Sequence, residues 1–218
     1  TNMKLNLTSL LVAFGLLTNA AFAGNSAKVG YGSDFFYRGS QKAEESIQSS
    51  LMLSHAVAGL SASAHVCSNQ AIDSGADSYH MGAGLGTSFS DGLISLYGGL
   101  NHFEDKPGSA LSEAELKVSL GLPLSPSVSV FRDLSDSLYT FEGSVSYVLE
   151  NSISDLTLNG SVGNTETSSS NDTTYYSVGG GVSKSLSDTA TLGLNVDYVD
   201  ADNIDSECVW GASITFNF

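Results

Sequence analysis

Ionisable side chains recur at every second position in several segments of this 218-residue chain, in which polar and apolar residues alternate. Successive side chains of a β-strand point to opposite faces, so this pattern collects the charged groups on one face. Eight polar side chains are placed together on that face by their parity: Lys28, Asp34, Glu113, Glu115, Lys117, Glu142, Asn195 and Asp197. Carboxylates outnumber amines among them, and an enclosed face of this sign favours cations over anions. The alternative is that Lys28, Lys117 and Arg132 pair with these acids and that the interior is plugged.

A second group of acids lies in polar stretches between these segments. Asp200, Asp202 and Asp205 lie within six consecutive residues, and carboxylates are the oxygen ligands that calcium prefers. The stretch lacks the glycine and the terminal glutamate of an EF-hand loop. A solvated acidic loop is therefore the favoured interpretation, and the sequence predicts no metal site and no cofactor.

Nucleophilic catalysis has little support. The histidines are His55, His65, His80 and His102, and none lies in a recognisable nucleophile motif. His102 with Asp105 is the one pair worth testing, and we expect no enzyme activity. The glycines at 82, 84 and 86 and at 179–181 lie inside predicted strands without a following helix, so they indicate bends or close side-chain packing rather than a phosphate site.

The two cysteines, Cys67 and Cys208, both lie beside predicted loops. In an exported chain they could form one disulfide, which would require loop movement because their strands are not neighbours. Two free thiols are the other possibility.

Twelve segments with period-two alternation account for most of the chain after residue 26. They span 27–37, 46–57, 60–66, 79–89, 93–103, 113–122, 128–132, 139–149, 156–162, 176–182, 192–198 and 208–218. The fifth and seventh are the weakest, which leaves ten strands as the fallback. In the last, alternate apolar residues lead to an aromatic at Phe218, an ending that resembles those of many bacterial outer-membrane proteins.

The connections between segments alternate in length and polarity. Those at 39–45, 68–77, 104–110, 133–138, 164–173 and 200–207 are generally longer and more polar than those at 58–59, 90–92, 123–127, 150–155 and 184–190. Outer-membrane barrels alternate long external loops with short periplasmic turns in this way. We therefore predict an all-β, up-and-down antiparallel transmembrane barrel over residues 24–218; a soluble β-sandwich, which also alternates, is the less favoured class.

Residues 1–23 have the features of a secretory signal peptide. Lys4 precedes an apolar run that ends at Ala21-Phe22-Ala23, a small-x-small cleavage signal. The two residues before Met3 are interpreted as an upstream extension. Beyond this segment no apolar run approaches the roughly 20 residues of a membrane-spanning helix.

The overall charge is strongly acidic, with 23 Asp and Glu against 8 Lys and Arg. A phosphate backbone requires a basic patch, so nucleic acid is not an expected partner.

Aromatic residues at segment ends are placed where a membrane interface would be. The predicted girdle consists of Tyr37, Tyr79, Tyr139, Tyr176, Tyr198, Trp210 and Phe218. Amphipathic rings of this kind favour the headgroup level of a bilayer. Outer-membrane lipids, lipopolysaccharide and, through the C-terminal strand, the barrel-assembly machinery are therefore the expected partners.

The residues from Ser26 to Gly39 carry a family resemblance. Ser33-Asp34-Phe35-Phe36-Tyr37-Arg38-Gly39 resembles the Ser-Asp-Tyr-x-x-Arg-Gly type of motif on the first strand of the TorF-like porins, proteobacterial proteins of unknown function, and Ser40-Gln41 agrees with their usual continuation. Phe35 replaces the usual Tyr. The resemblance implies an outer-membrane barrel with a channel role.

A passive outer-membrane channel for small solutes, with a preference for cations, is the function that these observations favour. A non-conducting structural or adhesive barrel that acts through its acidic external loops is the rival, and a lipid-modifying enzyme is a third class. Conduction depends on whether the interior is open, since barrels of about twelve strands can also be filled by side chains.

Overall fold

The computed structural model describes residues 24–38, 40–72, 75–106, 108–167, 172–202 and 204–218. The predicted signal peptide at 1–23 lies outside the described residues. Every regular element in the described part of the chain is a β-strand, and that part contains no helix long and apolar enough to cross a membrane.

Fourteen strands follow one another along the chain. They are β1 (Ser26–Gly32), β2 (Phe35–Tyr37), β3 (Ser40–Ala43), β4 (Ser46–Val57), β5 (Leu60–Ala71), β6 (Asp77–Phe89), β7 (Ile94–Lys106), β8 (Ala110–Leu120), β9 (Ser127–Asp133), β10 (Tyr139–Leu149), β11 (Asp155–Thr165), β12 (Thr173–Ser187), β13 (Ala190–Ala201) and β14 (Ile204–Asn217). Twelve of them form one closed antiparallel barrel, whereas β2 and β3 form a separate two-stranded sheet. The predicted twelve-stranded barrel is confirmed, and the ten-stranded fallback is not needed.

The barrel closes between its first and last strands. β1 pairs antiparallel with β14 from Ser26 opposite Asn217 to Gly32 opposite Gly211, and its other edge pairs with β4. The terminal segment at 208–218 thus pairs with the start of the predicted first segment, 27–37, as far as Gly32. No strand of the barrel is left with an open edge, as a structure in lipid requires.

The outer wall is apolar and exposed. Leu116 is 58 % exposed, Val178 57 % and Leu194 56 %, and the neighbours of each on the inner face are polar residues or glycine. In a soluble protein such leucines and valines would be buried against another layer. Here the apolar face points outwards and the polar face inwards, which is the pattern of a barrel wall in lipid.

The predicted first segment, 27–37, is divided in the structure. β1 ends at Gly32, where the amide of Ser33 donates to the Trp210 carbonyl at 2.9 Å and the Trp210 amide donates to Ser33 Oγ at 3.0 Å. Beyond Asp34 the chain turns away from the wall and forms β2 and β3. These two strands and the turn between them are called the lumen hairpin below.

Candidate functional site

The lumen hairpin crosses the interior of the barrel. It leaves the wall beside β1, and in the barrel order β9 lies six strands from β1 in either direction. Its side chains meet the inner faces of β7, β8 and β9, on the far side of the barrel. The hairpin therefore divides the interior.

Arg38, in the turn of the hairpin, makes the central contact. Its guanidinium forms an ion pair with Glu113 of β8, and its Cζ atom lies 3.8 Å from the centre of the Phe131 ring of β9. The Tyr37 ring covers it at 4.9 Å. The Arg38 side chain is 11 % exposed and that of Glu113 is 5 % exposed. A planar guanidinium can stack on an aromatic ring and donate hydrogen bonds to a carboxylate at the same time, which the ammonium group of a lysine does less well.

Tyr37 supports the same contact. Its ring stacks on Phe103 with centroids 4.5 Å apart and planes 8° from parallel, and its hydroxyl donates to Glu113 Oε2 at 3.2 Å. Burial raises the pKa of this hydroxyl well above its ordinary value; Arg38 opposes that shift and Glu113 adds to it. The hydroxyl therefore stays protonated and acts as a donor. The expected place of Tyr37 in the outer girdle is corrected, because Tyr37 belongs to the hairpin and not to a wall strand.

The second arm of the hairpin is held at the rim. Lys42 Nζ donates to Asp105 Oδ2 of β7 at 3.1 Å, and the Ala76 amide donates to the Lys42 carbonyl at 3.1 Å. Ala43 forms a bridge with Gly75, whose φ of 109° suits glycine. A Cβ on Gly75 would lie 2.6 Å from the Lys42 carbonyl oxygen, so only glycine permits this close approach.

A cavity of about 320 Å³ remains between the hairpin and the inner faces of β10 to β14 and β1. Its lining includes Lys28, Asp34, Glu142, Asn195 and Asp197, which are five of the eight residues predicted to line the interior. The carboxylates of this cavity accept hydrogen bonds from neutral groups. Tyr175 Oη donates to Glu142 at 2.9 Å, and the amides of Asn159 and Asn195 each donate to Asp197 at 2.9 Å. These carboxylates are thus held in place without a cationic partner.

The other three predicted lining residues also lie on the inner face. Glu113 binds Arg38, and Glu115 accepts a hydrogen bond from Asn101 Nδ2 at 3.0 Å. Lys117 lies between Tyr97 and Ser129 in the strand register. Ion pairs in the described part of the chain join Arg38 to Glu113, Lys42 to Asp105 and Lys106 to Glu104, so Lys28 and Lys117 are not the cations that pair with the interior acids.

A row of serines on the inner face was missed from the sequence. The register aligns Ser88, Ser95, Ser119, Ser127, Ser144, Ser161 and Ser177 across seven consecutive strands, from β6 to β12. Hydroxyl pairs lie at 2.8 Å for Ser88 and Ser95, 2.7 Å for Ser127 and Ser144, and 2.9 Å for Ser161 and Ser177. Serine is too common in the chain for its row to be found without the register. The row gives the inner face of these strands a band of neutral, hydrogen-bonding groups.

Inward-facing glycines make room for large side chains, and Gly84 is one of the glycines for which the sequence indicates bends or close packing. A Cβ on Gly84 would lie 2.5 Å from Tyr97 Cζ, and one on Gly163 would overlap the Tyr175 ring. Tyr97 and Tyr175 therefore lie flat against the wall instead of projecting across the lumen.

The remaining girdle residues lie on the outer face. Trp210 is 51 % exposed and its ring lies 5.4 Å from Tyr31, while Tyr176 lies 6.2 Å from Tyr198. Tyr139 stacks with Phe141, the Tyr79 ring is covered by Lys106 Nζ at 4.7 Å, and Phe218 is 41 % exposed. Their contact with lipid remains a prediction.

The two cysteines are free, which corrects the possible disulfide. Cys67 faces the interior on β5, opposite Ser50 and His80, whereas Cys208 faces outwards on β14. Between β5 and β14 lie β4 and β1. A thiol on the inner face cannot reach one on the outer face without unfolding the wall.

We expect purified, non-reduced protein to contain two titratable thiols after denaturation. Thiol titration in urea measures this directly, and the Cys67→Ser variant should give one. Finding no thiol in the non-reduced protein, with two appearing after reduction, would contradict the placement of the cysteines.

The remaining candidate pairs are not brought together. His102 faces outwards and its Nδ1 lies 2.9 Å from Ser112 Oγ, whereas Asp105 faces inwards and binds Lys42. Asp200 accepts from Tyr176 Oη at 2.6 Å and Asp202 from the Thr174 amide at 2.8 Å. Among residues with described positions, no group of three or more His, Cys, Asp or Glu is arranged to hold a metal, and Asp205 joins no such group.

Comparison with known proteins gives structural neighbours. The fold is similar to the KdgM porin, with a TM-score of 0.60 and 13 % identity over 88 % of this chain and 99 % of that one. It is similar to the COG4313 outer membrane channel from Pseudomonas putida F1, with a TM-score of 0.62 and 10 % identity over 91 % and 97 %. The NanC porin matches with a TM-score of 0.58 and 15 % identity over 90 % and 100 %.

The fold is that of an outer-membrane β-barrel. The identities are low, so this similarity concerns the fold, while the apolar outer wall gives the same result independently. No family model matches the sequence, and no curated protein matches it.

Proposed function

We propose that this protein is a passive channel of the bacterial outer membrane for small solutes, with a preference for cations. The observation that carries the proposal is the polar cavity inside a closed, lipid-facing barrel, bounded on one side by the lumen hairpin. Porins and channels among the structural neighbours support the channel class. The TorF-like family remains a proposal that rests on the motif from Ser33 to Gly39.

The preference for cations follows from the interior charges that lack a cationic partner. Arg38 and Lys42 are neutralised by Glu113 and Asp105. Of the eight predicted lining residues, the acids outside these pairs are Asp34, Glu115, Glu142 and Asp197, and the bases are Lys28 and Lys117. The excess of carboxylates, inside walls of low dielectric, raises the local concentration of cations.

The Glu142→Gln/Asp197→Asn double variant tests this charge balance. Each change keeps the side-chain shape and removes one negative charge, so we expect the cation-to-anion permeability ratio to fall about twofold or more. Reversal potentials of single channels in a planar bilayer under a salt gradient measure the ratio.

The Lys184→Gln variant is the control, because Lys184 lies on the outer face of β12 and its charge is remote from the cavity. Anion selectivity in the wild-type channel, or a double variant that is unchanged, would contradict the charge assignment.

A non-conducting barrel that acts through its acidic external loops is the second candidate. The observation that favours it is the lumen hairpin, whose buried Arg38 contact joins opposite walls of the barrel. Absence of channel openings in the wild type and in variants without the hairpin would favour this alternative. In either case we propose outer-membrane lipid and lipopolysaccharide as the surroundings of the wall, and the barrel-assembly machinery as the partner of β14.

A further inference from the structure

Two imidazoles meet on the inner wall beside the lumen hairpin. His65 of β5 and His80 of β6 are diagonal neighbours across the strand pair, since His65 lies opposite Gly82 and His80 opposite Cys67. Their Nε2 atoms are 3.5 Å apart and their rings stand edge to face, with centroids 4.6 Å apart. A cavity of about 240 Å³ reaches His80 from the side of β1 and β4.

An unsatisfied oxygen points to the same place. Asn101 of β7 is 8 % exposed, and its Nδ2 donates to Glu115 of β8 at 3.0 Å. A carboxylate can only accept, so this bond fixes the amide with Oδ1 on the other side. Asn101 Oδ1 is buried without a hydrogen-bond partner among the described residues, which is uncommon for a buried polar atom.

Gly82 brings the oxygen and the imidazoles together. A Cβ at this position would lie 2.6 Å from Cε1 and 3.0 Å from Nε2 of His65, and it would overlap Asn101 Oδ1. The absence of a side chain at 82 therefore leaves the space in which the His65 ring and the Asn101 oxygen approach each other.

The separation of the two nitrogens fits one metal ion. Bonds of about 2.0–2.1 Å at a tetrahedral angle place two imidazole nitrogens about 3.4 Å apart. We propose that His65, His80 and Asn101 Oδ1 bind a divalent transition-metal cation such as Zn²⁺ on the lumen wall, with water in the remaining positions. Glu115 holds the Asn101 amide and adds a negative charge nearby, while the neighbouring Arg38 is neutralised by Glu113. Two imidazoles and one amide make an open site, which suits reversible binding rather than a structural role.

Calorimetric titration with Zn²⁺ tests the site in folded protein that carries no polyhistidine tag. Cys67→Ser/Cys208→Ser serves as the background, so that thiols cannot contribute, and heat-modifiable migration in gels verifies folding. We expect one Zn²⁺ per chain. Changes to residues that only orient the ligands of a metal cost roughly 10- to 100-fold in metal affinity, so loss of a ligand in His65→Gln or His80→Gln should cost at least about 100-fold.

Two kinds of control separate the site from general histidine binding. His55→Gln and His102→Gln alter the outer wall and should leave the affinity within about twofold. Gly82→Ala keeps every proposed ligand but displaces His65 and Asn101, so we expect affinity to fall about tenfold. No saturable binding, or binding kept in the His65→Gln/His80→Gln double variant, would overturn the proposal. The titration does not depend on conductance, so its outcome is distinct from that of the channel proposal.

Discussion

Replacement of Glu113 by glutamine is expected to release the lumen hairpin and raise single-channel conductance severalfold. Glu113 is 4 % exposed and holds both the Arg38 guanidinium and the Tyr37 hydroxyl. Removing one partner of a buried ion pair costs about 3–5 kcal/mol, because the remaining charge stays desolvated. The hairpin has its own two-stranded sheet and contributes no strand to the barrel, so the barrel can stay closed while Arg38 moves into water.

The matched control is Glu142→Gln. Glu142 also faces the interior, but its hydrogen-bond partner is the neutral Tyr175 hydroxyl, so its loss leaves no buried cation behind. We expect altered selectivity and nearly unchanged conductance. Planar-bilayer recordings at equal salt on both sides measure the conductance of each variant.

A hairpin replacement distinguishes release of the hairpin from a change in charge. Substitution of residues 35–43 by a short Gly-Ser linker should raise conductance as Glu113→Gln does. Adding Glu113→Gln to that variant should then change little, since Arg38 is already gone. If the linker variant and Glu113→Gln both conduct like the wild type, the hairpin does not limit the channel.

The barrel was predictable because its signal is local. Leu192, Leu194 and Val196 alternate with Gly193 and Asn195, and this period alone assigns each side chain to one face. Segments 46–57 and 139–149 match β4 and β10 to the residue. Other predicted segments are too short. The segment 60–66, for example, ends before β5 does, because β5 continues to Ala71 through residues that are polar on both faces.

The lumen hairpin was not predictable by the same means. Phe35 and Tyr37 continue the parity of Val29 and Tyr31, so 27–37 reads as one strand. The partners that hold Tyr37 inside the barrel, Phe103 and Glu113, are far along the chain. Their approach depends on barrel closure, which periodicity does not describe.

For the candidate metal site, too, the sequence predicts the face on which each residue lies but not the register that aligns the strands. His80 follows Tyr79 and His65 precedes Val66, so the alternation assigns both imidazoles to the polar face. Their approach to Asn101 depends on how β5, β6 and β7 are aligned, and a shift of one residue in any pair would separate them. The alternation in the sequence predicts the face of each residue, whereas the register between strands determines which of these residues lie close together.

Deletion of residues 215–218 is expected to prevent both closure and insertion of the barrel. These residues pair with Ser26, Ala27 and Lys28 of β1, and the Phe218 amide donates to the Asn25 carbonyl at 3.1 Å. The deletion also removes the pairing of Ala190 and Thr191 on β13 with β14. Each backbone group left unpaired in the hydrocarbon region costs several kcal/mol, so the folded amount should fall more than about tenfold.

Asn217→Ala is the control for this deletion, because it keeps every backbone hydrogen bond of the seam and changes one side chain on the inner face. Heat-modifiable migration of protein extracted from outer membranes measures the folded amount of both variants. Folded, heat-modifiable protein after the deletion would mean that the four remaining pairs, from Val29 opposite Ile214 to Gly32 opposite Gly211, are enough to close the barrel. Three of the seven residue pairs between β1 and β14 are lost in the deletion, so a short edge opens into lipid on each side of the gap. A closed barrel is the arrangement that satisfies these backbone groups.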